Sequence, residues 1–213
     1  MNALAQDAKQ LAIQIIQNEA RADKLAWFNH SMNMDHDRRV LFVHNPKCMG
    51  TSLKQWLGLR TDNADHRFPT LMVNKECWES YRTIVVVRNP IDRFVSSYNF
   101  HCRSGYSGGY LSQFPDLKSW SMEQYFFRMT DVAPYAVAPQ WKYTLHLRSE
   151  AGPDHLVRME DCAGELERIG KALGIAPLIP KLNQNAADKL RPSAAFLRTL
   201  EQYYRRDFDL FGY

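Results

Sequence analysis

Two short, uninterrupted apolar runs punctuate the chain, Val40-Leu41-Phe42-Val43 and Thr83-Ile84-Val85-Val86-Val87. Runs of this length and composition read as strands buried on both faces, the second as a central parallel strand. Each gives way to a proline, in His44-Asn45-Pro46 and in Arg88-Asn89-Pro90, where the ladder loses its N–H donor. The period then turns helical. Leu53, Trp56 and Leu57 share a face after Thr51-Ser52, with Gly58 as the stop, and Phe94, Val95 and Tyr98 share one within Asp92 to Phe100. Downstream, Ser121 with Gln124 predicts a capping box and His155-Leu156-Val157 a third strand. Leu166, Ile169 and Leu173 predict a helix closed by Gly174, and a last helix after Pro192-Ser193 carries Phe196, Leu200 and Tyr203 inward. At the start, Leu4, Ala8, Leu11 and Ile15 predict an amphipathic helix. It is followed by the polar stretch Asn29 to Arg39, expected as a mobile segment or linker. Strands alternating with helices predict an α/β fold of three layers, a central, mostly parallel sheet flanked by helices. The expected division is 1–37 for helix and linker and 38–213 for the main domain.

Composition narrows this picture. A chain of 213 residues fits one domain, and 45% hydrophobic residues with 12% aromatics exclude a wholly disordered chain. Its 27 Lys+Arg against 23 Asp+Glu leave +4, enough to favour an anionic ligand but too mild for nucleic acid as a partner. Cys48, Cys77, Cys102 and Cys162 are widely spaced without a CxxC pair, which predicts free thiols and no metal site. No run of about 18 apolar residues predicts a transmembrane helix, and no basic start precedes an apolar one, so a cytoplasmic location is expected.

The chemistry concentrates at the ends of the two strands. In Pro46-Lys47-Cys48-Met49-Gly50-Thr51-Ser52, Gly50 permits close backbone approach or a positive φ, the following helix presents unpaired amides, and Lys47, Thr51 and Ser52 add donors. A phosphate or sulfate group suits such a loop; a plain helix cap is the alternative. Lys47 precedes the glycine, so the segment is not a Walker A loop. After the second strand, Arg88 stands where open parallel sheets gather ligands, and Ser96 lies on the next helix. They could share a further phosphate, or Arg88 could form an ion pair with Asp92.

Together HNPKCMGTSL and VVVRNPIDRFVSSY resemble the PAPS-dependent sulfotransferases, of the carbohydrate (heparan sulfate 2-O and Golgi carbohydrate) type. The first is similar to that family's 5′-phosphosulfate loop, PKTAGTSL, with Cys48-Met49 replacing Thr-Ala, and the second to its 3′-phosphate motif, VRNPxxRxxSxY. The resemblance continues through Asp65-His66 ahead of Trp78 and Tyr81, Pro139-Gln140 with Tyr143, and Val157-Arg158-Met159-Glu160. Leu182-Asn183 and the closing Tyr204 to Tyr213 segment extend it to the last residue.

The resemblance implies a P-loop-like domain of a soluble, bacterial type. It transfers a sulfuryl group from 3′-phosphoadenosine 5′-phosphosulfate (PAPS) to a carbohydrate or glycolipid hydroxyl, without a metal, leaving adenosine 3′,5′-bisphosphate. Lys47 is expected at the bridging oxygen, Lys47 to Ser52 around the 5′-phosphosulfate, and Arg88 with Ser96 on the 3′-phosphate. His66 is expected as general base, with His44 in reserve. Acceptor contacts are expected from loops 60–75 and 101–118, where Tyr106, Tyr110, Phe114 and Trp120 either stack on a sugar ring or belong to the core. A nucleotide kinase and a non-catalytic nucleotide-binding module are the alternatives.

Overall fold

The computed structural model describes residues 31–62, 64–103, 106–176 and 190–213. The helix expected over Leu4 to Ile15 and the Leu182-Asn183 pair lie outside the described residues. Four strands form one sheet in chain order: β1 (Met34–Asp35), β2 (Val40–Val43), β3 (Arg82–Val87) and β4 (His155–Arg158). The last three run parallel, with Val40 opposite Arg82 and Ile84 opposite His155, and β1 pairs antiparallel with β2.

That edge strand corrects the expectation of a linker before Arg39. Its polar residues have partners inside the fold: Ser31 Oγ donates to Asp65 at 2.6 Å, and Asn33 Nδ2 to the Asp65 carbonyl at 2.7 Å. Asp35 accepts from the Arg38 amide and guanidinium at 2.9 and 2.6 Å, closing the turn that returns the chain into β2. Polar composition alone reads as solvated linker, whereas here it satisfies buried hydrogen bonds.

The side-chain alternation of β2 and β3 divides the core. Phe42, Ile84 and Val86 face Leu53 of α1 (Gly50–Trp56), Leu57 at its C-terminal cap, and Leu166 and Ile169 of a long helix described below. Leu41, Val43 and Val85 face the other way, against Met72, Tyr143 and Trp78 of α2 (Lys75–Ser80). Apolar packing on both faces explains why the strands are continuous apolar runs and makes the fold the predicted three-layer, P-loop-like α/β domain.

A second core forms beside the sheet. α3 (Pro90–Tyr98) starts with proline in its first turn and Asn89 capping the Ile91 and Asp92 amides. Phe94 of α3 packs against Phe126 of α4 (Met122–Val132), whose capping box pairs Ser121 and Gln124 as predicted. α5 (Cys162–Leu173) ends at Gly174, left-handed at φ 66, and buries Leu166 and Ile169. α6 (Ala194–Tyr203) turns Phe196 and Leu200 inward as expected. Tyr203 packs half-buried against the same core, and Tyr204, in the break before α7 (Arg205–Phe211), is fully buried with its hydroxyl donating to the Val137 carbonyl at 2.7 Å. All four cysteines are free thiols. Among the described residues no helix is long and apolar enough to cross a membrane.

Candidate functional site

The loops after β2 and β3 lie side by side because their strands are paired neighbours. In the first, Lys47 and Met49 adopt left-handed backbone at φ 65 and 59, and α1 begins at Gly50, one residue before the expected Thr51. Left-handed conformations at non-glycine residues cost about 1–3 kcal/mol each and are retained where surrounding structure enforces them. Successive turns of this kind aim backbone amides into a concave, anion-attracting nest.

Gly50 serves close approach and not a left-handed backbone, since its φ is not positive. A Cβ at this position would meet His44 Nε2 at 1.7 Å, so the imidazole occupies the space a side chain would need. Behind the loop Cys48 is buried, and burial pushes its thiol up to about 12, so it is a packing group. Thr51 and Ser52 are exposed at the mouth.

Arg88 follows β3 and donates through Nη1 to the Lys47 carbonyl at 3.3 Å. Burial, then the Arg88 charge, hold the Lys47 ammonium below the usual lysine pKa. Neither cation has a carboxylate partner among the described residues; Lys47 Nζ lies 3.9 Å from the centroid of the Phe100 ring instead. The possible Arg88–Asp92 pair does not form: Asp92 bonds Arg191 at 3.1 Å. Ser96, half-buried on α3, lies two turns into the helix that Arg88 precedes.

The structure brings both candidate histidines to the same edge of the loop. His66 Nδ1 donates to the His44 carbonyl at 3.0 Å, and the two rings stand 4.3 Å apart. That bond fixes the proton on Nδ1 and leaves Nε2 as the lone-pair nitrogen, the atom a base needs. His44 lies deeper, with Nδ1 buried and unpaired, and its pKa is held down at about 2 by burial first and the neighbouring His66 second. Its place is under Gly50, not at the mouth.

Sequence reading gave no role to the groups that brace the two loops. Gln140 Oε1 accepts from Asn45 Nδ2 and the Arg88 amide, both at 2.9 Å, while its Nε2 donates to the Arg88 carbonyl at 2.6 Å. Gln140 is held in turn by the buried Asp207, which accepts from the Gln140 and Trp141 amides at 2.7 and 2.9 Å. Arg93, also buried, donates to the Ala138 carbonyl and lies 3.5 Å from both Asn45 Oδ1 and the Pro46 carbonyl. Glu160 accepts from the Asn89 amide and from the Tyr213 hydroxyl, both at 2.7 Å. Gln140, Arg93 and Glu160 all fall inside recognised motifs, so the signal was present without a role. His101 carried no such signal; its link to Lys47 through the neighbouring Phe100 ring depends on packing.

The buried histidines also set an acid limit on stability. Burial lowers the pKa of His44 to about 2, of His101 to about 4, and of His66 below its usual value. A histidine with a depressed folded pKa binds its proton more weakly than the unfolded chain does. Stability is therefore complete above pH 6.5, the ordinary histidine value, and declines as pH falls below it. Urea unfolding is expected to give a free energy at pH 5 lower than at pH 7, by up to about 1.4 kcal/mol per pH unit and histidine. Equal values at the two pHs would contradict neutral imidazoles in the fold.

No curated protein and no solved structure matches the chain. A family model described as "Sulfotransferase family" matches residues 30–213, from the edge strand through both strand-end loops to the final tyrosine. With that match spanning the whole described fold and its paired cationic loops, the chain belongs to the sulfotransferase family.

Proposed function

We propose that the protein transfers a sulfuryl group from PAPS to a hydroxyl of a carbohydrate or glycolipid. The observation that carries the proposal is the convergence of two half-buried cations, Lys47 and Arg88, on one nest of backbone amides with no carboxylate among the described residues to neutralise them. Partly buried charge without a counter-ion is costly, and a ligand with two separate anionic ends relieves it. The donor set fits that nucleotide: amides of Cys48 to Ser52 with the Thr51 and Ser52 hydroxyls for the 5′-phosphosulfate, Arg88 and Ser96 for the 3′-phosphate. Gly50, backed onto His44, keeps the cradle free of a side chain.

When bound, the nucleotide supplies an activated sulfuryl group. Lys47 leaves the Phe100 face and places its ammonium beside the bridging oxygen, where negative charge grows as the S–O bond breaks. His66 Nε2 takes the proton of the acceptor hydroxyl as its oxygen forms the new bond to sulfur. Arg88, tied to the Lys47 carbonyl, couples recognition of the 3′-phosphate to the position of the loop. Of the aromatic residues expected near the acceptor, Trp120 is buried in the second core with Phe114 against it, while Tyr106 and Tyr110 border His101 close to Lys47.

Titration calorimetry tests the donor assignment. Adenosine 3′,5′-bisphosphate is expected to bind more tightly than ADP, and Arg88→Ala to weaken the bisphosphate by roughly 10- to 100-fold with little effect on ADP. Equal affinity for the two nucleotides in the unaltered protein would remove the 3′-phosphate site and favour a kinase-like reading. Transfer of labelled sulfate from PAPS to a glycan panel separates an active enzyme from a silent nucleotide-binding module.

A further inference from the structure

His101 lies in a π-helical turn, Asn99–Arg103, that continues α3. Such turns are rare in helices and recur at functional sites. The residue is only 8% exposed. Its Nδ1 stands 3.0 Å from the Ser97 carbonyl oxygen and 2.7 Å from Tyr125 Oη. Ser97 Oγ lies 2.8 Å from the same Tyr125 Oη and donates to the Ala136 carbonyl at 2.9 Å.

One arrangement of protons satisfies this network. The Ser97 hydroxyl proton is committed to Ala136, so the Tyr125 hydroxyl donates to Ser97 Oγ. The Ser97 carbonyl can only accept, so His101 Nδ1 carries the ring proton. Nε2 is then a lone pair, and it makes no hydrogen bond among the described residues. Nε2 is not sealed from solvent, so this lone pair is open to a hydroxyl donor from outside the protein. Phe100, Tyr106 and Tyr110 surround the ring at centroid distances of 5.0, 4.9 and 5.4 Å. Phe100 is 42% exposed and also touches the Lys47 ammonium, so it links His101 to the transfer site.

We propose that His101 is an acceptor-binding residue whose Nε2 accepts a hydrogen bond from a hydroxyl of an uncharged polyol ring, next to the hydroxyl that is sulfated. The exposed Phe100 face packs against ring C–H groups of the same molecule. This inference rests on the sulfuryl-transfer reading and narrows its acceptor class. A lone pair without a proton to give selects a neutral hydroxyl at this position and repels a carboxylate or sulfate.

Long-range ¹H–¹⁵N spectra of histidine-labelled protein saturated with adenosine 3′,5′-bisphosphate provide the test. His101 is expected in the Nδ1–H form, with its Nε2 resonance moving upfield when methyl glycosides of neutral hexoses are added. His101→Asn, which keeps a donor toward Ser97 but removes the Nε2 acceptor, is expected to lower kcat/KM for the responding glycoside about tenfold, with the bisphosphate Kd unchanged. An Nε2–H form, or an Nε2 resonance that no glycoside moves, overturns the inference. Should the variant fail to fold, the spectrum of the unaltered protein decides. Failure of the bisphosphate itself to bind would overturn the underlying reading instead, and the saturation step records that separately.

Discussion

Replacing His66 with alanine is expected to lower kcat for sulfate transfer by roughly 10²- to 10⁴-fold while adenosine 3′,5′-bisphosphate binds as before. The expectation follows from one hydrogen bond. Because Nδ1 donates to the His44 carbonyl, Nε2 is left to take the acceptor proton, and burial keeps the ring neutral below the usual histidine pKa. The acidic limb of kcat in the unaltered protein should accordingly fall below pH 6.5, the ordinary histidine value. Steady-state transfer of labelled sulfate, with nucleotide binding measured in parallel, reads both quantities. A variant with full turnover would remove His66 as the base. His44→Ala serves as the contrast: it opens space beneath Gly50, so nucleotide affinity should suffer along with the rate.

Asp207→Ala should produce the largest loss of stability, about 3–5 kcal/mol in urea unfolding. The carboxylate is fully buried and receives the Gln140 and Trp141 amides, with the buried Arg93 charge nearby. Burial raises its pKa despite these donors, which shows how much solvation the group has given up. Removing it strands the Gln140 and Trp141 amides and takes a negative charge from the surroundings of the buried Arg93 guanidinium. Asp207→Asn keeps one acceptor oxygen and should lose less. The damage should also reach the site, since Gln140 fixes Asn45 in one loop and both main-chain groups of Arg88 in the other. A stable Asp207→Ala protein with unaltered nucleotide affinity would show that the two loops do not depend on this brace.

The chain's local pattern carried the strands and most of the helices because continuous apolar runs, prolines at strand ends and capping residues act over a few positions. β2, β3 and β4 appear where the runs predicted them, and the Ser121–Gln124 box and Gly174 stop occur as read. The same locality explains the errors. Asn29 to Arg39 reads as linker until Asp65, distant in sequence, satisfies Ser31 and Asn33. Arg88 and Asp92 look like partners until Arg191 reaches Asp92.

By itself, then, the sequence determined the α/β class and the two strand-end loops proposed to bind anions, with Lys47, Gly50 and Arg88 in them, since each rests on short-range order and residue chemistry. Tertiary structure alone decided that Arg88 reaches the Lys47 carbonyl, that Gln140 and Asp207 brace both loops, and that His66 Nδ1 is committed to the His44 carbonyl while His44 packs under Gly50. It also brought His101 to Lys47 through Phe100. Those relations join residues far apart in the chain, and the energies that fix them, desolvation and hydrogen-bond direction, exist only after the surrounding core has excluded water.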